Sequence, residues 1–200
     1  FTGIITDIGT IERVEQRGDL RATIATAYDA ATIDLGASIA CSGVCLTVID
    51  RGPGWFTVDV SGETVSRSAQ GQWSLGRRLN LERSMKLGDE LGGHIVTGHV
   101  DGLAAGPSLP PPGELCGIGF WLARGLRASI SAKGSVTVDG VSRTVNSVSD
   151  AADGATFTVN LIPHTQAVTT LGTLETGQAV NIEFDVLARY LQRMQSLIAR

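Results

Sequence analysis

Short runs of alternating apolar and polar residues dominate the first part of the chain. Such runs occupy residues 23–25, 38–40, 44–49 and 55–60, and turn-forming residues separate them. Alternation with a period of two is typical of strands that bury one face. The pattern therefore predicts an all-β fold in which helices are scarce.

The pattern occurs a second time later in the chain. The matched segments are residues 1–5 and 96–100, 37–48 and 134–145, 56–60 and 157–161, and 79–82 and 180–183. Four collinear matches, displaced by 95 to 101 positions, indicate a duplicated domain. We expect a first domain at residues 1–87, a second at 88–185 and a separate tail at 186–200.

Each copy contains a two-residue turn between apolar runs, Ser42-Gly43 in the first and Asp139-Gly140 in the second. Glycine supplies the positive φ that a tight hairpin requires. Several short strands in fewer than about 100 residues are best buried by closing the sheet. The sequence therefore predicts two small Greek-key barrels.

The tail has a different period. Leu187, Leu191, Met194 and Ile198 lie on one helical stripe, which predicts an amphipathic helix. The stripe either packs against its own barrel or forms a seam between subunits.

Composition narrows the class of protein. Hydrophobic residues make up 42% of the chain and charged residues 18%, which is typical of a globular protein. A net charge of −4 argues against nucleic-acid binding, which relies on clustered Lys and Arg. We expect neither secretion nor membrane insertion, because residues 1–200 contain no apolar run long enough to cross a membrane and no pattern typical of a secretory leader.

Cys41, Cys45 and Cys116 are too few and too irregularly spaced for a disulfide framework or a zinc site. We expect a protein of the reducing cytoplasm that uses no metal.

Two matched strands carry the first candidate chemistry. On residues 44–48, alternation turns Cys45 and Thr47 away from the core, and the second copy has Ser142 and Thr144 at these positions. Each barrel therefore presents a similar polar surface to a ligand. Ordinary packing of these side chains is the alternative.

Other candidates stand alone in the sequence. His94 and His99 are five residues apart, which on a strand places them on opposite faces and argues against one shared metal. Histidine nevertheless suits proton transfer near neutral pH. Lys133 is either a ligand contact or a solvated side chain, and Asp185 is either functional or the N-cap of the tail helix.

In order along the chain, these residues fall within motifs that resemble those of the riboflavin synthase family. The motifs are Phe-Thr-Gly-Ile at 1–4, Gly-Ala-Ser at 36–38, Cys-Leu-Thr-Val at 45–48, Gly-Gly-His through Gly-His-Val-Asp-Gly at 92–102, Lys-Gly-Ser at 133–135, Asp-Gly-Val-Ser at 139–142, Leu-Ile-Pro-His-Thr at 161–165 and Val-Asn-Ile-Glu-Phe-Asp at 180–185. The resemblance spans residue 1 to about residue 185.

The resemblance implies two six-stranded barrels and a homotrimer held largely by its C-terminal helices. It implies active sites between the first barrel of one subunit and the second barrel of its neighbour. There, two molecules of 6,7-dimethyl-8-ribityllumazine would react to give riboflavin and 5-amino-6-(D-ribitylamino)uracil without a cofactor. It leaves open an association with lumazine synthase.

The resemblance also implies the site residues. Ligand contacts assigned to the first barrel are Gly3, Ile4, Ile5, Cys45, Leu46, Thr47, Asp59, Val60, Ser61, Gly62, Glu63 and Thr64, with Phe1 as an apolar lid. Contacts assigned to the second are Gly98, His99, Val100, Lys133, Ser142, Arg143, Thr144, Asn160, Leu161, Ile162, Pro163, His164 and Thr165. Ser38 and Cys45 would position or supply a nucleophile, His99 would assist proton removal, and Asp185 would orient the site.

Arg143 departs from the family pattern, which has leucine there. It has the core-facing parity of Leu46, and burying an unpaired guanidinium is costly. We expect Arg143 to extend to the barrel rim or to pair with an acid, and Arg143→Leu to raise the melting temperature.

Two other functions use similar folds. A non-catalytic lumazine or flavin carrier, like the bacterial antenna proteins, would not need Ser38, Cys45 and His99. An oligonucleotide-binding barrel would need basic and aromatic surfaces, and aromatic residues are only 5% of this chain.

Overall fold

The computed structural model describes residues 1–106 and 116–198, apart from the side chain of Cys116. Six strands form the first barrel: β1 Asp7–Arg17, β2 Asp19–Ala25, β3 Ser38–Cys41, β4 Val44–Gly52, β5 Trp55–Val60 and β6 Arg78–Arg83. Six more form the second: β7 Gly102–Ala105, β8 Cys116–Ala123, β9 Ser135–Val138, β10 Val141–Asp150, β11 Gly154–Leu161 and β12 Ala179–Phe184.

Both sheets are antiparallel and closed. The strand order is β1-β2-β5-β4-β3-β6 in the first barrel, and the second barrel repeats this order with each strand number raised by six. Matched register shifts interrupt β4 after Val48 and β10 after Val145. Such bulges bend a strand and help a short sheet to close. The predicted duplicated all-β fold is confirmed.

Each barrel encloses its own apolar core. Phe56, Leu79 and Leu81 are fully buried in the first core. In the second, the rings of Phe120 and Phe157 stack with their centroids 5.4 Å apart. Because each core is complete within its barrel, the outward strand faces remain available for other contacts.

In the described part of the chain, three α-helices accompany the barrels: α1 Gly62–Arg67, α2 Pro163–Val168 and α3 Val186–Ile198. Short 3₁₀ turns lie at Ala30–Thr32, Arg127–Ser129 and Thr170–Thr173. The pair α1 and α2 occupies equivalent positions directly after β5 and β11. α3 confirms the predicted tail helix.

The apolar stripe of α3 faces away from its own barrel. Leu187, Leu191, Met194 and Ile198 are 68%, 59%, 60% and 82% exposed, while Ala188 packs against the second core. Packing of the stripe on its own barrel, one of the two interpretations, is therefore wrong. The seam between subunits stays a prediction.

Candidate functional site

The N-terminal residues 1–5 lie against the second barrel. Ser142 on β10 donates its backbone N–H to the carbonyl oxygen of Gly3 over 2.8 Å, and Ile5 packs against the second core. A Cβ on Gly3, where φ is +78°, would lie 2.6 Å from the Cβ of Ser142. Only glycine therefore allows this approach.

Residues 96–100 make the reciprocal crossing to the first barrel. Cys45 on β4 donates its backbone N–H to the carbonyl oxygen of Gly98 over 2.8 Å, and Val100 packs against the first core. A Cβ on Gly98 would lie 2.6 Å from the Cβ of Cys45. The two repeats therefore exchange equivalent segments.

A buried carboxylate holds each crossing segment. Glu82 on β6 accepts hydrogen bonds from the backbone N–H groups of Thr2 and Gly3 at 2.6 and 2.9 Å, and from the Thr2 hydroxyl at 2.9 Å. Glu183 on β12 accepts from the three N–H groups of residues 97–99 at 2.8, 2.9 and 3.0 Å, and from a threonine hydroxyl at 2.6 Å. Hydrogen bonds to a charged acceptor are among the stronger ones.

The first half-site is the surface formed by the outward face of β4, the end of β5, α1 and residues 98–100. As predicted, Val44, Leu46 and Val48 point into the core while Cys45 and Thr47 point outward. A cavity in this half-site is lined by Val44, Cys45, Glu63, Thr64, Arg67, Ser68, Gly98, His99 and Val100.

The charged groups of the first half-site are paired. Asp59 accepts two hydrogen bonds from Arg21, at 2.8 and 2.9 Å, and this interaction lowers the pKa of Asp59. On α1, Glu63 accepts from Arg67 at 2.8 Å. The first half-site therefore has little uncompensated charge.

The second half-site is the surface formed by the outward face and rim of β10, the end of β11, α2 and residues 3–5. Its cavity is lined by Ile4, Gly92, Gly93, Ser135, Ser142, Arg143, Thr144, Asn146 and Asn160. At the position of Asp59 it has Asn160, whose side-chain oxygen accepts from the Asn146 amide at 2.7 Å. The partner of Asp59 in the first half-site is Arg21, whereas the residue that pairs in register with Asn160 is Gly117, so the charged pair has no charged counterpart here.

The structure corrects the sequence-based grouping of contacts. Gly3, Ile4 and Ile5 were assigned to the first barrel but belong to the second half-site. Gly98, His99 and Val100 were assigned to the second barrel but belong to the first half-site. The physical reason is the exchange of segments, which a linear repeat does not reveal.

Some assigned contacts have side chains that face a core. Val60 and Leu161 are fully buried, and Leu46 is 7% exposed. Only the backbone of Val60 and Leu161 can reach a ligand on the outer surface. Thr165 is also buried, whereas His164, beside it on α2, is exposed.

His94 was considered for proton transfer in the sequence analysis, but the family resemblance gave it no role in the site. Its Nδ1 lies 2.8 Å from the Ser142 hydroxyl, and its Nε2 is buried without a hydrogen-bond partner among the described residues. Burial lowers the pKa of His94, while the carboxylates of Asp185 and Glu183 act in the opposite direction. A neutral imidazole can accept the Ser142 proton.

The expectation that His94 and His99 share a strand is wrong. The segment joins neither sheet, and it is held by hydrogen bonds from His94 N–H to the Thr2 carbonyl and from Val96 N–H to the Phe1 carbonyl. His94 is nevertheless buried and His99 exposed. Because Ser142 is 48 positions from His94, no local pattern could have revealed their contact.

Ser38 and Asp185 lie at the edges of the two surfaces. Ser38 pairs with Thr47 in the β3–β4 ladder, and cross-strand neighbours share a face, so it is outward like Cys45. Asp185 accepts a hydrogen bond from the Leu187 N–H at 2.9 Å, which confirms the predicted N-cap of α3.

Lys133 has an unusual backbone for a residue with a side chain. Its φ is +67°, and the equivalent residue in the first repeat is Gly36, with φ +86°. Both donate a 2.8 Å backbone hydrogen bond to the matched strand, at Val145 and Val48. A left-handed residue other than glycine costs about 1 kcal/mol, which favours a function for the lysine side chain.

The cysteines differ in environment. Cys41 is fully buried, and burial raises the pKa of its thiol, which makes it unreactive. Cys45 is only partly buried and belongs to the first half-site. The side chain of Cys116 lies outside the described residues. Within the described ranges no cluster of His, Cys, Asp and Glu could hold a metal ion.

No helix within residues 1–106 and 116–198 has the length and apolarity needed to cross a membrane.

Comparison with known proteins gives these paired surfaces a context. The model of the lumazine binding domain matches residues 2–84 and again residues 97–185. The fold and its half-sites therefore define a protein built from two lumazine-binding domains.

Curated relatives narrow the class further. The chain is 47% identical to the riboflavin synthase of Brucella abortus (strain 2308), with 97% of each chain covered. It is 40% identical to the riboflavin synthase of Photobacterium phosphoreum, with 97% of this chain and 88% of the relative covered. The chain belongs to the riboflavin synthase family.

A solved structure shares the fold. LumP complexed with riboflavin aligns with a TM-score of 0.82 and 24% identity, covering 92% of this chain and 99% of LumP. At this level of identity the likeness supports the double-barrel architecture alone.

Proposed function

We propose that this chain catalyses the dismutation of 6,7-dimethyl-8-ribityllumazine. One molecule gives a four-carbon unit to a second, and the products are riboflavin and 5-amino-6-(D-ribitylamino)uracil. The observation that carries the proposal is the pair of half-sites with one backbone design, because the reaction consumes two identical substrates. The nearly full-length similarity to curated riboflavin synthases supports it.

The two products contain every atom of the two substrates, so the overall reaction needs no oxidant, reductant or external carbon carrier. What the protein must supply is juxtaposition and proton transfer. Holding two reactants together replaces a bimolecular encounter and is worth several kcal/mol, about 7 or more in favourable cases. A duplicated site provides this juxtaposition of two reactants directly.

Binding would use the features shared by the half-sites. Backbone groups of the crossing segments and of strands β4 and β10 suit the amide-like edges of a pteridine. The ribityl hydroxyls would bind Thr47 in one half-site and Thr144 and Lys133 in the other. Phe1 would cover the ligand as an apolar lid.

In the first half-site, Ser38 and Cys45 would position or supply the nucleophile that adds to C7 of one lumazine. His99 would take a proton from the C7 methyl group of the other lumazine. Its location supports this role, since the Glu183 carboxylate fixes its backbone N–H and Arg189 of α3 donates to its carbonyl at 3.2 Å.

In the second half-site, the His94 imidazole would hold the Ser142 hydroxyl and exchange protons with it. Asp185, whose charge acts on His94, would orient this pair.

A complete site would combine the first half-site of one protomer with the second half-site of its neighbour. The exposed stripe of α3 supports assembly, and we propose a homotrimer held largely by these helices. We further propose a cytoplasmic protein, and an association with lumazine synthase remains a prediction from the family.

The direct test incubates the purified protein with 6,7-dimethyl-8-ribityllumazine alone and follows riboflavin by absorbance. We expect riboflavin and the uracil product in equal amounts without added cofactor. Arg124→Leu serves as a control because Arg124 is exposed at the far end of β8 from the half-sites. His99→Gln should bind the substrate but turn it over slowly.

Binding of lumazine by the unmodified protein without formation of riboflavin would contradict the proposed catalysis and identify a non-catalytic lumazine or flavin carrier. Light scattering or analytical ultracentrifugation would test the trimer, and a monomer at micromolar concentration would exclude the cross-subunit site.

A further inference from the structure

Arg143 is the largest chemical difference between the matched strands. It occupies the register position of Leu46: Leu46 pairs with Ile39 on β3, and Arg143 pairs with Val136 on β9. Leu46 is buried in the first core, whereas Arg143 is only partly buried and lines the second cavity. The prediction that Arg143 would extend to the barrel rim is confirmed.

Among the described residues, the Arg143 guanidinium has only neutral partners. Its Nη1 donates to the carbonyl oxygen of Asn160 and to the Thr165 hydroxyl, both at 3.4 Å, and its Nε donates to the carbonyl oxygen of Ser142. No Asp or Glu forms an ion pair with Arg143 within the described residues. Because arginine is always charged in proteins, this positive charge is uncompensated.

The two half-sites consequently differ in electrostatics. In the first, Arg21 and Arg67 are neutralised by Asp59 and Glu63. In the second, none of the residues that line the cavity carries a carboxylate. An unpaired, partly desolvated guanidinium in a cavity attracts a negative charge more strongly than an exposed one does.

We infer that the second half-site binds the lumazine that becomes an anion, and that Arg143 stabilises this anion. The inference rests on the proposed function. The C7 methyl group loses a proton to a base, His99 in that proposal. The electron pair of the broken C–H bond stays on the ligand and delocalises through the ring onto the pteridine carbonyl oxygens. The long hydrogen bonds of Arg143 leave its donors free to turn toward this charge.

Exchange of the C7 methyl protons with D₂O, followed by NMR, isolates this step from carbon transfer. We expect Arg143→Leu to slow enzyme-catalysed exchange about 10- to 100-fold, the loss typical of a hydrogen bond to a charged group, and Arg143→Lys to retain part of the rate. The apparent pKa of the bound lumazine, read from its absorbance, should rise in Arg143→Leu. Arg124→Leu, which removes the same charge from an exposed position, should leave both unchanged.

The Leu variant should remain folded, since leucine at the matched position packs well in the first repeat. We expect its melting temperature to rise, so slower exchange would not reflect unfolding. Thermal unfolding of each variant checks this, and Arg143→Lys provides a second folded variant.

The outcomes separate the two proposals. If the unmodified protein neither exchanges the methyl protons nor forms riboflavin, the proposed function fails. If it forms riboflavin while Arg143→Leu exchanges protons at the original rate with an unchanged ligand pKa, the role of Arg143 is wrong. If Arg143→Leu selectively weakens flavin mononucleotide relative to riboflavin with exchange unaffected, the guanidinium recognises a phosphate and the inference is also overturned.

Discussion

The two half-sites share a backbone and differ in their charges. In each half-site, a strand N–H group donates to the carbonyl oxygen of a crossing glycine. A buried glutamate accepts hydrogen bonds from the N–H groups of the same crossing segment. The side chains at matched positions diverge: the outward Cys45 becomes Ser142, the core-facing Leu46 becomes Arg143, and Asp59 becomes Asn160. Duplication has kept what shapes the pocket and changed what sets its chemistry, as a reaction between two identical molecules with unequal roles requires.

The contact between the barrels is also built from equivalent residues of the two repeats. Asn80 on β6 donates to the carbonyl oxygen of Asp139 at 2.9 Å, and Asn181 on β12 donates to that of Ser42 at 2.8 Å. Their side-chain oxygens accept from the N–H groups of Thr170 and Ala69, at 2.7 and 2.8 Å. Each barrel thus uses the same amide to reach the other.

The largest expected effect concerns the imidazoles, one in each half-site. His99→Gln should lower kcat by about 10²- to 10³-fold, because general acid–base groups contribute on that scale. His94→Gln should lower it as well and shift the pH profile of kcat, since His94 acts through Ser142. Steady-state kinetics across pH measures both.

Near-normal turnover of Ser38→Ala, Cys45→Ser and His99→Gln, all folded, would contradict the roles given to the first half-site. Equal activity of His94→Gln and the unmodified protein at every pH would leave the His94–Ser142 contact purely structural.

Local pattern was sufficient to predict four strands of the first barrel, β2 to β5, together with the repeat and the outward direction of Cys45 and Thr47, but it did not predict β1. These features depend on neighbours in sequence, because alternation fixes the face on which a side chain lies. The crossing of Gly3 to Ser142 and of Gly98 to Cys45 could not be predicted, since a repeat does not specify which barrel a flanking segment contacts. The His94–Ser142 contact was missed for the same reason.

The next prediction concerns the free energy of unfolding and the buried carboxylates that hold the crossing segments. Glu183→Ala should destabilise the fold by about 4 kcal/mol and Glu82→Ala by about 3, because each leaves several buried donors unpaired. Glu183 accepts four hydrogen bonds, one more than Glu82. Urea unfolding provides the free energies of unfolding, and a larger loss for Glu82→Ala would contradict this ranking.

A pH-dependent effect distinguishes the two hairpin turns. Asp139 is buried where the first repeat has Ser42, and its carboxylate accepts from the Asn181 N–H at 2.8 Å. Burial raises the pKa of Asp139 to about 7, against opposing effects of the Asn181 hydrogen bond and the charge of Arg77.

Because the folded pKa is raised, the protonated form stabilises the fold, fully below the unfolded pKa and progressively less as pH rises through about 7. Asp139→Ser, which copies the first repeat, should remove this dependence. Between pH 4 and 8 we expect the unmodified protein to lose about 4 kcal/mol relative to the variant, since the folded pKa lies about three units above the unfolded one and each unit corresponds to about 1.4 kcal/mol. Parallel stability curves from denaturation at several pH values would contradict the assignment.

The smallest effect compares Lys133 with Gly36. Lys133→Gly should raise the free energy of unfolding by about 1 kcal/mol, because it relieves a left-handed backbone that glycine adopts without cost. Lys133→Gly should also weaken lumazine binding, because it removes the ammonium group. The backbone hydrogen bond from residue 133 to Val145 is kept in the variant. Calorimetric titration with lumazine and thermal unfolding measure the two quantities. Gain of stability with unchanged affinity would mean that the lysine side chain does not contact the ligand, and a loss of stability would mean that its backbone is not strained.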